Sequence, residues 1–223
     1  MRRSRVALLA ILVAAGVAIV LLRHGQLPWA SGLRDINGDG HVDVLCFGDS
    51  LTAGTMEGTY PADLRANLPA GTTVVNLGRY GEVTAHGRMR LRGALEENRA
   101  DYVIILEGVN DHCENPDATL ANLHAMAMDV RAKGAVPLVG TLFVSPKKTG
   151  EEKQRCYEAL NARILQMKGV VPVDFAATVH NRWDELLLKG GVHPNAAGDE
   201  AMADTARAAL MDASRRGRDL LAN

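Results

Sequence analysis

Four short segments of the chain hold side chains of the types that cleave an ester. The first, Gly48-Asp49-Ser50-Leu51-Thr52-Ala53-Gly54, directly follows an apolar run. A serine placed there sits on a strand-to-helix turn, with its hydroxyl exposed and its N–H near a helix N-terminus. The block differs from the G-x-S-x-G elbow because Thr52 stands where the second glycine would be. Taken alone, it reads as a cap in which Asp49 or Ser50 bonds the next helix. Three more blocks stand with it. They are Asn76-Leu77-Gly78-Arg79-Tyr80-Gly81-Glu82, Glu107-Gly108-Val109-Asn110-Asp111, and Gly191-Val192-His193-Pro194-Asn195-Ala196-Ala197-Gly198. Ester cleavage needs a nucleophile, a base within hydrogen-bond reach, and donors aimed at the developing oxyanion. Serine, histidine, asparagine and glycine are residues that supply those roles.

The first three blocks follow apolar runs that read as strands. Such runs fall at Val42–Phe47, Thr73–Leu77, Tyr102–Leu106, Val136–Leu142 and Val170–Val173. Short, nearly continuous Val/Ile/Leu runs suit a parallel sheet covered on both faces. Helical spacing appears between them, over Arg88–Leu95, Leu120–Ala132 and Glu151–Met167, and again over Asn195–Asp212. This alternation predicts a doubly wound α/β domain. In such sheets, sites form where the C-terminal strand ends open into loops.

With the four blocks in this order on strand ends, the chain resembles the SGNH hydrolases, also called the GDSL esterase/lipase family, over about residues 42–212. The resemblance implies a three-layer α/β/α fold with a five-stranded parallel sheet of flavodoxin-like winding. It makes Ser50 the nucleophile and His193 the base. Gly81 becomes an oxyanion donor through its N–H, ahead of Gly78, and Asn110 a donor through its side-chain amide. The family's acid, three residues before the histidine, is replaced by Gly190. A backbone carbonyl of Lys189 or Gly190, or a water, is then the first choice to orient His193, with Asp184 second. A Ser–His dyad leaves residual catalysis where a triad acid is lost.

Asp35, Asn37, Asp39 and Asp43 occupy positions 1, 3, 5 and 9 of a calcium-type loop, with Gly40 at the sharp turn. The segment resembles EF-hand and FG-GAP loops, although Cys46 stands at position 12 in place of glutamate. The other reading is a polar turn before the first strand. The turn is the first reading and a bound calcium the second, and catalysis requires no cofactor.

Arg2, Arg3 and Arg5 precede an unbroken apolar run from Val6 to Leu22. At 1.5 Å per residue it spans about 25 Å, the short end of a transmembrane helix. The charge bias keeps the N-terminus cytoplasmic, so residues 1–24 read as an uncleaved membrane anchor, or a signal segment if cleaved, with the rest exported. Residues 25–41 form a linker carrying the calcium-type loop, 42–213 the hydrolase domain, and 214–223 a basic tail. Of the three cysteines, Cys46 reads as a buried small hydrophobe. An oxidising compartment permits a Cys113–Cys156 disulfide.

The 223-residue chain is 47% hydrophobic and 23% charged, which excludes wholesale disorder. Its formal net charge of −1 gives no electrostatic footprint for nucleic acid. Aromatic residues, at 4%, provide few platforms for long sugar chains. The expected protein is a membrane-anchored, exported serine esterase or lipase acting on a small-molecule, lipid or thioester substrate. The alternatives are an inactive or weak binding domain on the same fold, and an acyltransferase.

Overall fold

The computed structural model describes residues 32–216 and Leu221. The apolar run Val6–Leu22 and most of the basic tail beyond Arg216 lie outside the described residues. Among the described residues, no helix is long and apolar enough to cross a membrane.

Five parallel strands make one sheet in the order β2-β1-β3-β4-β5. They are β1 (Val42–Gly48), β2 (Thr72–Gly78), β3 (Tyr102–Leu106), β4 (Val136–Gly140) and β5 (Val171–Val173). β1, β3 and β4 are buried almost throughout, whereas the edge strand β2 is only half-covered. The order reverses between β1 and β3, because the chain leaves β1 for β2 and returns on β1's other side. That crevice is where α/β sheets place ligands.

In chain order the helices are α1 (Ser50–Ala53), α2 (Tyr60–Ala66), α3 (Thr84–Glu97), α4 (Pro116–Ala132), α5 (Pro146–Leu165), α6 (Phe175–Val179), α7 (Trp183–Leu186) and α8 (Ala196–Arg216). They fall into two packed sets. One joins α3 to α4 and α4 to α5; the other gathers α2, α6 and α7 on α8. α4 and α8 both lie against β4.

Two differences from the sequence reading have local causes. β4 ends at Gly140, two residues before the expected Leu142. A Cβ on Gly140 would lie 2.8 Å from Phe175, and beyond it the Leu142 N–H donates to Asn161 Oδ1 at 2.8 Å instead of to the ladder. α3 begins at Thr84, well before Arg88. Its N-cap residue, Val83, offers no side-chain bond; Asp111, from beyond β3, accepts from the Thr84 N–H at 2.9 Å. That cap is invisible to local pattern.

Candidate active site

β1 delivers Ser50. Gly48 has no room for a side chain, since a Cβ there would lie 2.1 Å from the Leu106 carbonyl oxygen. The chain then turns straight into α1, whose cap is Asp49: Oδ1 accepts from the Leu51 N–H at 2.9 Å. Ser50 is left 7% exposed. His193 comes from the loop between α7 and α8. That loop is pinched by an antiparallel bridge between Leu187 and Pro194 and by a 2.9 Å bond from the Leu188 N–H to the His193 carbonyl. The result is a 2.9 Å hydrogen bond between Ser50 Oγ and His193 Nε2. Burial lowers the His193 pKa, so the ring is neutral at neutral pH and Nε2 can accept the serine proton.

No described residue accepts a hydrogen bond from His193 Nδ1. Asp184 is on the surface, held by the Lys147 ammonium at 2.7 Å from both carboxylate oxygens. Gly190 is exposed, and a Cβ built on it meets nothing within 4 Å. It lines a cavity of about 450 Å³ together with Lys147, Lys148, Trp183 and Lys189.

The donor side is built by the other two blocks. Gly78 is a packing residue: its N–H donates to Asn76 Oδ1 at 2.9 Å, and a Cβ would lie 2.0 Å from the Ala53 nitrogen. Gly81 is exposed at φ +70° with nothing near its missing Cβ. The N–H groups of Gly81 and Ser50 bond no described acceptor. Asn110 lies in a 3₁₀ turn, Val109–Asp111, and one Nδ2 hydrogen goes to the Glu82 carbonyl at 2.9 Å. Its other amide hydrogen meets no described acceptor.

Asp111, Arg90, Tyr157 and the Cys113–Cys156 disulfide hold this edge together. Asp111 accepts from Thr84 Oγ1 and Thr119 Oγ1, each at 2.6 Å. Arg90 grips both Glu82 oxygens through Nε at 2.9 and 2.8 Å, bonds the Leu77 carbonyl, and lies 3.9 Å over the Phe47 ring. Tyr157, on α5, donates to the Val109 carbonyl at 3.1 Å. Beside it, Cys156 forms a disulfide with Cys113, so α5 holds both ends of the Asn110 turn. Cys46 is buried in β1, which pushes its thiol up to about 12. His112 is exposed at φ 53°.

Two buried acids beneath Ser50 are perturbed. Burial pushes Asp49 up to about 7, against the pull of the Leu51 and Val109 N–H groups. Burial, with the Asp49 and Glu82 charges, pushes Glu107 up to about 10.

Asp35, Asn37, Asp39 and Asp43 lie in and just after the turn that leads into β1. Among the described residues, no group of three or more His, Cys, Asp or Glu side chains is placed to hold a metal. Asp35 instead bonds the Gly38 and Gly40 N–H groups, Asn37 Oδ1 the Asp39 N–H, and Asp39 both the His41 N–H and Arg99. The Asp43 N–H, with those of Ile36 and Asn37, donates to Asp101, which ties the segment to the start of β3. The Arg99 partnership and the His41 N–H hold Asp39 below the usual carboxylate range.

Comparison with known proteins agrees with this layout. By sequence, no curated protein matches. Among solved structures, TesA is 24% identical, covering 75% of this chain and 97% of its own, with a TM-score of 0.66. An acetylxylan esterase from Geobacillus stearothermophilus is 20% identical, over 76% of this chain and 94% of its own, with a TM-score of 0.65. A lipase/acylhydrolase from Enterococcus faecalis is 20% identical, over 77% and 96%, also at 0.65. At such identities the likeness is one of fold. The family model for GDSL-like lipases and acylhydrolases matches residues 46–201, well over half of the sequence and all four blocks. The chain belongs to the GDSL-like lipase/acylhydrolase family.

Proposed function

We propose that the chain hydrolyses carboxylic esters, with Ser50 and His193 acting as a two-residue unit. The observation that carries this reading is the 2.9 Å contact between Ser50 Oγ and a neutral His193 Nε2. His193 takes the Ser50 proton as Oγ attacks the ester carbonyl. The oxyanion that forms is met by the Ser50 and Gly81 N–H groups and by the Asn110 amide. The tetrahedral adduct collapses, and His193 gives its proton to the leaving alcohol. Water then attacks the acyl-enzyme, with His193 again as base.

Two exposed apolar side chains support an acyl or aromatic portion on the substrate. Met56 and Tyr80 stand in the loops that follow α1 and β2, and Tyr80 Oη bonds the Gly54 carbonyl at 2.7 Å. The apolar Val6–Leu22 run supports a membrane-held enzyme with its site outside the cytoplasm. A chain-length series of nitrophenyl esters tests the reading. Turnover that is lost in Ser50→Ala, with the fold retained, supports it; turnover above a few per cent in that variant contradicts it.

A further inference from the structure

Beneath the site lie two fully buried carboxyl groups with oxygens that no described residue serves. Asp49 uses Oδ1 to cap α1, and the Val109 N–H also faces its carboxyl, but Oδ2 makes no hydrogen bond, and neither Glu107 oxygen makes one. The sheet makes the two residues neighbours. Gly48 of β1 is in register with Leu106 of β3, the Asp49 N–H donates to the Leu106 carbonyl at 3.3 Å, and Asp49 and Glu107 are the next residue on each strand. Room for the glutamate comes from Gly87 of α3, where a Cβ would lie 3.2 Å from Glu107 Cδ.

Buried acceptors without donors are costly, and two adjacent ionised carboxylates cost more. A single proton relieves both problems at once. We propose that Asp49 and Glu107 hold one proton between them, with the Glu107 O–H donating to Asp49 Oδ2, and that this pair positions Ser50. The proposal rests on the reading of Ser50 as nucleophile.

The surrounding groups leave the proton no better home. Glu82 and Arg90, from the β2–α3 side, are bound to each other, and Arg90 also bonds the Leu77 and Gly48 carbonyls. Asp111, from the 3₁₀ turn, is filled by Thr84 and Thr119. Tyr60, Tyr157 and Cys46 are uncharged, each held above its usual pKa first by burial. With the proton in place, Asp49 is fixed at both oxygens. Its Oδ1 then fixes the Leu51 N–H, and with it the turn that aims Ser50 at His193. Asp49 and Glu107 are therefore positioning residues, without contact to substrate.

The test compares Glu107→Gln with Glu107→Leu. The amide of Gln donates as the protonated acid does but cannot lose its proton near pH 10; Leu donates nothing. We expect Glu107→Gln to keep kcat within about threefold of wild type at pH 7, and Glu107→Leu to lose about tenfold or more in kcat with KM little changed. The wild-type profile should fall at alkaline pH as the shared proton leaves, and Glu107→Gln should lack that fall. Thermal melts supply a readout independent of activity. An acid held protonated only in the folded state weakens folding as pH rises above its unfolded value. Glu107→Gln should therefore melt higher than wild type, by more at pH 8 than at pH 5. A Glu107→Gln enzyme as impaired as Glu107→Leu, or one with the wild-type alkaline limb, overturns the proposal. It would instead make Glu107 an anion facing Arg90. If wild-type Ser50 fails to react with a fluorophosphonate, the hydrolase reading fails separately, and the pH-dependent melts still decide whether the proton is shared.

Discussion

His193 has to work without the charge that a third residue would lend it. With no described acceptor on Nδ1, the imidazolium that the proposed mechanism forms would gain no nearby anion, which would lower the rate below that of a triad. Asp184 is engaged with Lys147 at the surface, so Asp184→Asn should change kcat/KM by less than about tenfold, or under ~1.4 kcal/mol. A loss of several orders of magnitude would make Asp184 the missing acid. Gly190 has no left-handed φ and has open space at its Cβ, so Gly190→Asp should fold normally and raise kcat/KM. Equal activity in that variant would show that a carboxylate there does not reach the ring. Burial lowers the His193 pKa, so kcat/KM should rise with pH through a value below 6.5 and be level at neutrality. A midpoint above 6.5 would contradict a desolvated base. At this scale the candidate residues Ser50, Gly81, Asn110 and His193 could be picked from sequence because each sits in a short block at a strand end or in the loop before α8, and the 2.9 Å Ser50–His193 contact is the part of that choice visible in the structure. Glu107, Arg90 and Asp111 were not, because their roles are set by partners distant in sequence. Asp111, for example, serves Thr84 across 27 residues.

The elements differ in how plainly they announce themselves. β3 matched its apolar run at both ends, since every residue from Tyr102 to Leu106 is buried and the run stops at the carboxyl of Glu107. The short helices α2, α6 and α7 went unread because they carry too few turns to show a period. α5 hides a break: Gly150, at φ 75°, interrupts it one turn in. The element that matters most to the site is the Asn110 turn, clamped to α5 by Tyr157 and by the Cys113–Cys156 disulfide. A cross-link across 43 residues restricts the unfolded chain by about 4 kcal/mol in the chain-entropy picture. Replacing both cysteines by serine should lower the melting temperature and reduce kcat more than it raises KM, because the donor turn loosens while the nucleophile does not. Unchanged melting and unchanged kcat would show that the turn holds itself.

For the molecule as a whole, four carboxyls among the described residues resist ionisation in the folded state, chiefly through burial: Asp49 rises to about 7, Glu107 to about 10 and Asp199 to about 6, and Asp101 is also raised. Above their unfolded values near 4, the folded chain binds more protons than the unfolded one, so stability falls as pH rises. His193 acts oppositely, removing stability as pH drops below 6.5 towards its lowered folded value. Urea unfolding should therefore show stability declining from about pH 5 to pH 9, steeper below about pH 7 and carried above it by Glu107 alone, at up to ~1.4 kcal/mol per pH unit for each proton retained in the folded state. A flat profile would mean that these acids ionise freely. The central claim is that Ser50 is activated by His193, and covalent labelling with a fluorophosphonate tests it most directly. One equivalent should attach to Ser50 in the wild-type protein and none in Ser50→Ala. In His193→Ala the labelling rate should fall by orders of magnitude. Label on another residue, or labelling of His193→Ala at the wild-type rate, would contradict the account.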